Sequence, residues 1–176
     1  MQCQPDNASC LCPPSIDTQT DPNNCGSCGK VCELPNAQMA CSGGNCIITG
    51  CEDGFHDLDG NAKNGCEYEC TKTSDDDMPD MAFIDANCDG IDGDPNQAIF
   101  VAPYGSKNNP GTMDKPINTV LGGIAKAITL DKPHVYVAAG TYSGEHTMVA
   151  GVSVFGGYSA DKKWSRNTAV HETILM

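Results

Sequence analysis

The sequence lacks long hydrophobic runs and has few aromatic residues, which make up 6% of its 176 residues. No segment approaches the roughly 18 consecutive apolar residues of a membrane-spanning helix, so no membrane span is predicted. The hydrophobic fraction is 39%, and 19 glycines and 11 prolines indicate turns and extended segments rather than long helices. A chain of this composition forms only small hydrophobic cores, which need additional stabilisation.

Recognisable catalytic motifs are also missing. The sequence contains no Gly-x-Ser-x-Gly motif, no phosphate-binding P-loop and no His-Glu-x-x-His pair. The four histidines are scattered, and none lies beside a Ser or Cys nucleophile in a known arrangement. We therefore predict that residues 1–176 contain no catalytic residue and have no enzymatic activity.

Cysteine is absent after Cys88, although the chain contains twelve cysteines. An even number suits a closed set of disulfides, and disulfides persist in oxidising compartments, which predicts an extracellular or cell-surface protein. The change at Cys88 predicts three segments: a cysteine-rich disulfide module at 1–70, an acidic linker with a candidate calcium loop at 71–97, and a cysteine-free domain at 98–176.

The closely spaced Cys25, Cys28 and Cys32 allow three interpretations. Structural disulfides are favoured, because the chain contains so many cysteines. A zinc or iron–sulfur site is an alternative, since two cysteines separated by two residues can share a metal. A redox-active pair is the third interpretation.

Negative charge is concentrated in the middle of the chain. The net charge of the protein is −13, and residues 52–94 contain fourteen acidic and two basic residues, a net charge of −12. Such a segment repels nucleic acids and anionic membranes and attracts cations, so no nucleic-acid partner is expected. A solvated acidic linker is the alternative explanation, and we favour it for the run at 75–80.

The acidic residues at 85–94 have the spacing of a calcium loop. Asp85, Asn87 and Asp89 occupy positions 1, 3 and 5 of an EF-hand-type pattern, and Gly90 occupies position 6. Alternate side chains of a tight loop point to the same side, so three oxygens converge on one cation. The full set of candidate ligands is Asp85, Asn87, Asp89, the carbonyl of Ile91, Asp92 and Asp94.

The loop departs from the EF-hand pattern at position 12, where Asn96 replaces the bidentate glutamate, and no helix pattern precedes it. Asp92 or Asp94 would then complete the shell of a more compact loop. A shorter and weaker calcium site is predicted at Asp57, Asp59 and Asn61. Calcium is the expected cofactor, with a metal-free Asx-rich turn or another divalent ion as alternatives.

Several cysteine-containing motifs in the first half have characteristic spacings. They are Asp17-Thr-Gln-Thr-Asp-Pro-Asn-Asn-Cys-Gly-Ser-Cys-Gly-Lys-Val-Cys32, Cys41-Ser-Gly-Gly-Asn-Cys46 and Asn64-Gly-Cys-Glu67. Over about residues 17–67, the sequence resembles the cysteine-rich repeat of large secreted and surface proteins of myxobacteria and related bacteria. The resemblance implies no enzymatic activity. The family often has a cysteine where this chain has Leu58, which leaves Cys70 as a candidate partner for the cysteine that usually pairs there.

Short apolar segments follow one another in the second half. Strands are predicted at 98–102, 135–138, 147–149, 152–155 and 173–175, because these residues are largely apolar or β-branched and alternate with glycine-rich turns. A helix is predicted at 116–129, where Pro116 suits the first turn. Its apolar residues recur at helical spacing, at Ile117, Val120, Leu121, Ile124 and Ile128.

The order of motifs in this half is specific. It runs through Phe100-Val-Ala-Pro-Tyr-Gly105, Val135-Tyr-Val-Ala-Ala-Gly-Thr-Tyr142, Gly151-Val-Ser-Val-Phe-Gly-Gly-Tyr158 and Trp164-Ser-Arg166. Over about residues 97–176, these motifs resemble the opening of a right-handed parallel β-helix domain of the pectate-lyase type. The resemblance implies that the helix at 116–129 caps the open end of the first coil. Some relatives are polysaccharide lyases or hydrolases, but their catalytic residues lie on later coils and none can be assigned here.

The expected fold class is therefore mainly β: a disulfide-rich irregular N-terminal module, followed by the N-terminal cap and first coils of a right-handed parallel β-helix. We expect a non-catalytic extracellular surface or structural protein of a bacterium, rigidified by calcium and used for adhesion or assembly, including filament formation. Its expected partners are further copies of the chain or a surface polysaccharide.

The alternative function is the N-terminal part of a secreted carbohydrate-binding or carbohydrate-degrading β-helix enzyme. In that case Tyr158, Trp164 and Arg166 would form a sugar-stacking patch. The interpretation that we favour is that these three residues pack the first coils against a loop.

Overall fold

The computed structural model describes residues 13–161 and 163–176, and the chain divides into two compact units, Met1–Thr71 and Lys72–Met176. Within the described residues there are nine strands, one α-helix and one short 3-10 helix, Pro95–Gln97. The mainly β fold class is thereby confirmed. Residues 72–97, which the sequence predicts as a linker, belong to the second unit.

Two antiparallel strand pairs form the first unit. Strand β1 (Ala37–Ser42) pairs with β2 (Asn45–Cys51), and β3 (Phe55–His56) pairs with β4 (Tyr68–Glu69). The connection between β1 and β2 is Gly43-Gly44, with φ values of 56° and 75°. Two consecutive residues with positive φ give the turn whose twist matches a two-residue hairpin, which explains why glycine stands at both positions.

Disulfides hold the strands of the first unit to its loops. The bonds are Cys25–Cys41, Cys32–Cys46 and Cys51–Cys66, with sequence separations of 16, 14 and 15 residues. In the chain-entropy model each loop of this length contributes about 3 kcal/mol to stability. Cys28, Cys70 and Cys88 are disulfide-bonded as well. The disulfide interpretation of Cys25, Cys28 and Cys32 is thus confirmed, and oxidised sulfurs exclude a thiolate metal site there. Cys3, Cys10 and Cys12 lie outside the described residues.

Parallel strands form the second unit. One sheet contains β5 (Ala98–Val101), β6 (His134–Ala138) and β8 (Ser153–Tyr158), and a second contains β7 (Gly140–Tyr142) and β9 (Thr173–Leu175). Every pairing is parallel, and the strands of each sheet follow chain order. The two sheets are small and do not by themselves make a solenoid.

The three-stranded sheet is covered on both faces, because alternate side chains point to opposite sides. One face packs against helix α1 (Val120–Thr129), through Ile99, Val101, Val135 and Val137. The other face forms an aromatic core containing Phe100, Tyr136, Tyr158 and Trp164. All four residues of β5 are buried, as expected for a strand between two covered faces.

The helix begins later than the sequence predicts. It covers Val120–Thr129, and the Thr119 side chain caps it by accepting a hydrogen bond from the Gly122 N–H. The predicted first turn at Pro116 is wrong, because the Ile117 backbone pairs with β5: its N–H donates to the Phe100 carbonyl at 2.9 Å. The buried stripe is Val120, Gly123, Ile124 and Ala127, and Leu121 and Ile128 are exposed.

Two strand predictions also need correction. Residues 147–149 are not a strand, and the chain instead pairs at β7, seven residues earlier. Strand β8 continues past Phe155 through two glycines to Tyr158. At Gly157, φ is 87° and an added Cβ would lie 2.6 Å from Cγ2 of Thr168, a residue that follows the strand. The positive φ and this close approach both favour glycine.

A matched pair of helix variants tests this packing. We expect Ile124→Ala to lower the free energy of unfolding by about 2–5 kcal/mol, because it leaves a cavity between the helix and the sheet. Ile128→Ala, on the exposed side of the same helix, is expected to change it by no more than about 0.5 kcal/mol. Denaturant unfolding followed through the single tryptophan gives both values. Equal costs would contradict the observed orientation of the helix.

Candidate functional site

The candidate calcium loop folds as a series of turns held by its own acidic side chains. The Asp85 carboxylate accepts hydrogen bonds from the Asp89 N–H at 3.1 Å and the Gly90 N–H at 2.7 Å. The Asn87 side chain contacts Asp89 twice, through its oxygen to the Asp89 N–H at 3.0 Å and through its amide nitrogen to the carboxylate at 2.8 Å. The structure therefore brings together Asp85, Asn87 and Asp89, the first three predicted ligands.

The remaining predicted ligands have other partners. Asp92 accepts a hydrogen bond from the Asp80 N–H at 3.0 Å and forms an ion pair with Arg166 at 2.7 Å. Asp94 caps the 3-10 helix by accepting a hydrogen bond from the Asn96 N–H at 2.7 Å. The Ile91 N–H donates to Asp89 at 3.3 Å, while the Ile91 side chain lies in the aromatic core. The six candidates thus divide into a three-residue turn and a set of structural contacts.

Burial makes the negative charge of this segment costly. Burial, assisted by the charges of Asp85 and Asp94, raises the pKa of Asp89 to about 6 against hydrogen bonds that lower it. Burial also raises the pKa of Asp77, and the charges of Asp92 and Asp85 add to the effect against a hydrogen bond from Gly93. Carboxylates that are destabilised in this way gain from a nearby cation.

The structure adds a candidate ligand, Glu67, that the sequence analysis missed at the weaker predicted site. Oxygens of Asp57, Asp59 and Glu67 all lie within 4.8 Å of one another. Glu67 is brought there by the turn before β4, and its carboxylate accepts the Leu58 N–H at 3.0 Å. Asn61 was the third predicted ligand. Its backbone N–H instead donates a hydrogen bond to the Asp59 carboxylate at 2.8 Å. The long separation of Glu67 from the Asp-x-Asp pattern explains why spacing alone did not indicate it.

Arg166 connects three parts of the second unit. Its side chain is 7% exposed, and that of Asp92 is 2% exposed. Besides the ion pair, it donates from Nε to the Gly156 carbonyl at 3.0 Å and from a terminal nitrogen to the Asp80 carbonyl. The guanidinium also lies 5.4 Å from the centre of the Phe83 ring, within cation–π range. The ion pair therefore attaches the acidic segment to strand β8.

The aromatic residues of the possible sugar-stacking patch are buried. Tyr158 and Trp164 are 0% exposed. The Tyr158 hydroxyl donates to the Asp92 carbonyl at 2.7 Å, and the Trp164 ring lies 4.7 Å from that of Phe100. These residues pack the sheet against the acidic segment, as the favoured interpretation predicts, and their rings are not available for stacking on a sugar.

No family model, curated protein or solved structure matches this chain. Among the described residues, the structure contains no helix with the length and apolar character that a membrane crossing requires.

Substitution of the buried arginine tests the ion pair. We expect Arg166→Met to lower the free energy of unfolding by about 3–5 kcal/mol, because it leaves the Asp92 carboxylate buried without its partner. The matched control is Lys163→Met, an exposed cation three residues away, which is expected to cost no more than about 0.5 kcal/mol. Chemical denaturation monitored by tryptophan fluorescence gives both values. Equal stability of the two variants would show that the pair does not hold the segment.

Proposed function

We propose that this chain is a non-catalytic, secreted structural protein of a bacterial surface. In this proposal a disulfide-stabilised module precedes the first coils of a right-handed parallel β-helix, and the protein works in adhesion or assembly. The observation that carries the proposal is that every strand pairing in the second unit is parallel and follows chain order. A chain that winds repeatedly in one direction gives this arrangement, because parallel crossover connections have the same hand.

The disulfides support an extracellular location. Nine of the described cysteines are disulfide-bonded, and structural disulfides persist in oxidising surroundings rather than in the reducing cytoplasm. A carbohydrate-binding role through Tyr158, Trp164 and Arg166 is not proposed, because these side chains are buried.

The two edges of the three-stranded sheet differ, and this difference favours pairing between copies. The outer edge of β5 is occupied by residues 111–117, whose backbone bonds Phe100 and Ala102. Strands β8 and β9 are edge strands among the described residues, and residues 165–167 cover only the end of β8. Beside them lies an apolar groove of about 340 Å³, lined in part by Val154 and Leu175.

We assign this edge to a second copy of the chain. Exposed strand edges can pair with strands of another chain. Two copies related by a twofold axis would pair through their β8–β9 edges, which leaves neither of these edges free for a third copy. Because the β5 edge is already covered, a closed pair is favoured over the filament that the sequence analysis included.

A charged substitution at the edge tests self-association. Ile174 lies in β9 and is 38% exposed, whereas Val170 lies in a turn and is 70% exposed. We expect the wild type to associate with rising concentration in sedimentation velocity. Ile174→Lys should shift it toward monomer, because a buried lysine must lose its hydration, and Val170→Lys should not. A strictly monomeric wild type would contradict the proposed assembly.

Calcium is proposed as the ion that orders the acidic segments. The supporting observations are the turn formed by Asp85, Asn87 and Asp89 and the convergence of Asp57, Asp59 and Glu67. Carboxylate and amide oxygens are the ligands that calcium prefers, and extracellular modules of this kind bind it at about 10⁻⁴–10⁻³ M.

Isothermal titration with calcium tests this part of the proposal. We expect binding by the wild type and a loss of one site in Asp89→Ala, because a central ligand of the loop is removed. The control is Asp76→Ala, an exposed acid of the neighbouring run, which should leave the binding heats unchanged. Equal heats in wild type and Asp89→Ala would exclude the loop as a calcium site.

A further inference from the structure

The Tyr136 hydroxyl is a buried polar group without a hydrogen-bond partner among the described residues. The side chain is 0% exposed and belongs to strand β6, where its ring stacks on Tyr158 at 4.9 Å. Leaving a buried hydroxyl unpaired costs about 1–3 kcal/mol, and such groups are rare in native proteins. The hydroxyl therefore indicates a polar partner that the polypeptide itself does not supply.

This hydroxyl faces the acidic segment. A Cβ added to Gly93 would lie 2.4 Å from the Tyr136 oxygen, so the hydroxyl lies directly against the backbone between Asp92 and Asp94. Burial raises the pKa of Tyr136 against an opposing contact with the Asp94 backbone, and the charges of Asp94, Asp77 and Asp89 raise it further. The charges of all three carboxylates therefore act on the end of the ring.

Asp77 is the most buried of these three carboxylates. It is 6% exposed, and its carboxylate accepts the Gly93 N–H at 2.7 Å. The ion pairs among the described residues are Lys72–Asp75 and Arg166–Asp92, and Asp77 belongs to neither. Asp77 is thus a buried carboxylate that accepts backbone hydrogen bonds and has no ion-pair partner among the described residues, and such a group would gain from a bound cation.

We infer that Asp77 is a further ligand of the calcium ion proposed for the Asp85–Asp89 turn, and that the Tyr136 hydroxyl holds a water molecule of that ion's shell. The inference rests on the proposed calcium binding. Asp77 supplies the carboxylate that the loop lacks at its twelfth position, where Asn96 stands. Calcium takes six to eight oxygens and commonly keeps water among them.

Ligation would draw the loop inward. These three residues are described by the structure, but the oxygens of Asp77, Asp85 and Asp89 do not all lie within 4.8 Å of one another. Two of them must therefore approach when the ion binds. Because Tyr136 lies against this segment, calcium should change its near-ultraviolet circular dichroism.

Calcium titration of the full-length chain tests the inference, read by both heat and near-ultraviolet circular dichroism. Asp77→Asn removes the charge and keeps an oxygen for the Gly93 N–H, and the matched control is Asp76→Asn, its exposed neighbour. We expect Asp77→Asn to weaken binding at least about tenfold and Asp76→Asn to leave it unchanged. Tyr136→Phe should weaken binding by about tenfold as well, the lower end of the effect of an outer-shell partner.

The outcomes separate this inference from the calcium proposal on which it rests. If Asp89→Ala abolishes the site while Asp77→Asn binds like Asp76→Asn, the loop binds calcium and Asp77 is not a ligand. If the wild type does not bind calcium, the calcium proposal itself fails. Tyr136→Phe removes only one oxygen and tests the role of the hydroxyl separately from that of Asp77. Unchanged affinity in that variant would overturn the role of the hydroxyl.

Discussion

The buried ion pair between Arg166 and Asp92 is the constraint that organises the second unit. It joins a residue that follows β8 to a residue that precedes β5, seventy-four positions earlier in the chain. Taking both charges out of water can cost more energy than their attraction returns, but removing one partner would leave the other charge buried and unpaired. Its geometry fixes where the acidic segment runs, because Asp92 also accepts the Asp80 N–H and its carbonyl accepts the Tyr158 hydroxyl.

The same contact explains why an acidic segment can be part of a folded unit. One arginine neutralises Asp92, while Asp77 and Asp89 remain partly or wholly buried with raised pKa values. Among the described residues, this negative charge has one guanidinium as its ion-pair partner. The calcium ion that we propose would balance this charge, since calcium takes carboxylate oxygens as ligands.

The sequence predicted what depends on local pattern. Strand β5, the helical spacing around Ile124 and the turn at Asp85–Asn87–Asp89 all follow from neighbours within a few residues, and the change at Cys88 predicted two kinds of stabilisation. It did not predict contacts between distant residues. Glu67 lies beside Asp57 and Asp59 only because the first unit folds. Ile117 is not helical, contrary to the prediction, because its backbone N–H donates to the Phe100 carbonyl of β5. The resemblance to a parallel β-helix agrees with the parallel order of the strands and stays a prediction.

Native-state hydrogen exchange of the wild type tests most directly whether the acidic segment belongs to the folded second unit. If the Arg166–Asp92 pair holds it there, the Gly90 and Gly93 amides, which bond Asp85 and Asp77, should be protected to a degree similar to the Val135 and Val137 amides of β6. If the amides of the acidic segment and of β6 exchange through one common opening reaction, the two parts form one cooperative unit. Exchange of Gly90 and Gly93 at the rate of an unstructured peptide, beside a protected β6, would contradict this account.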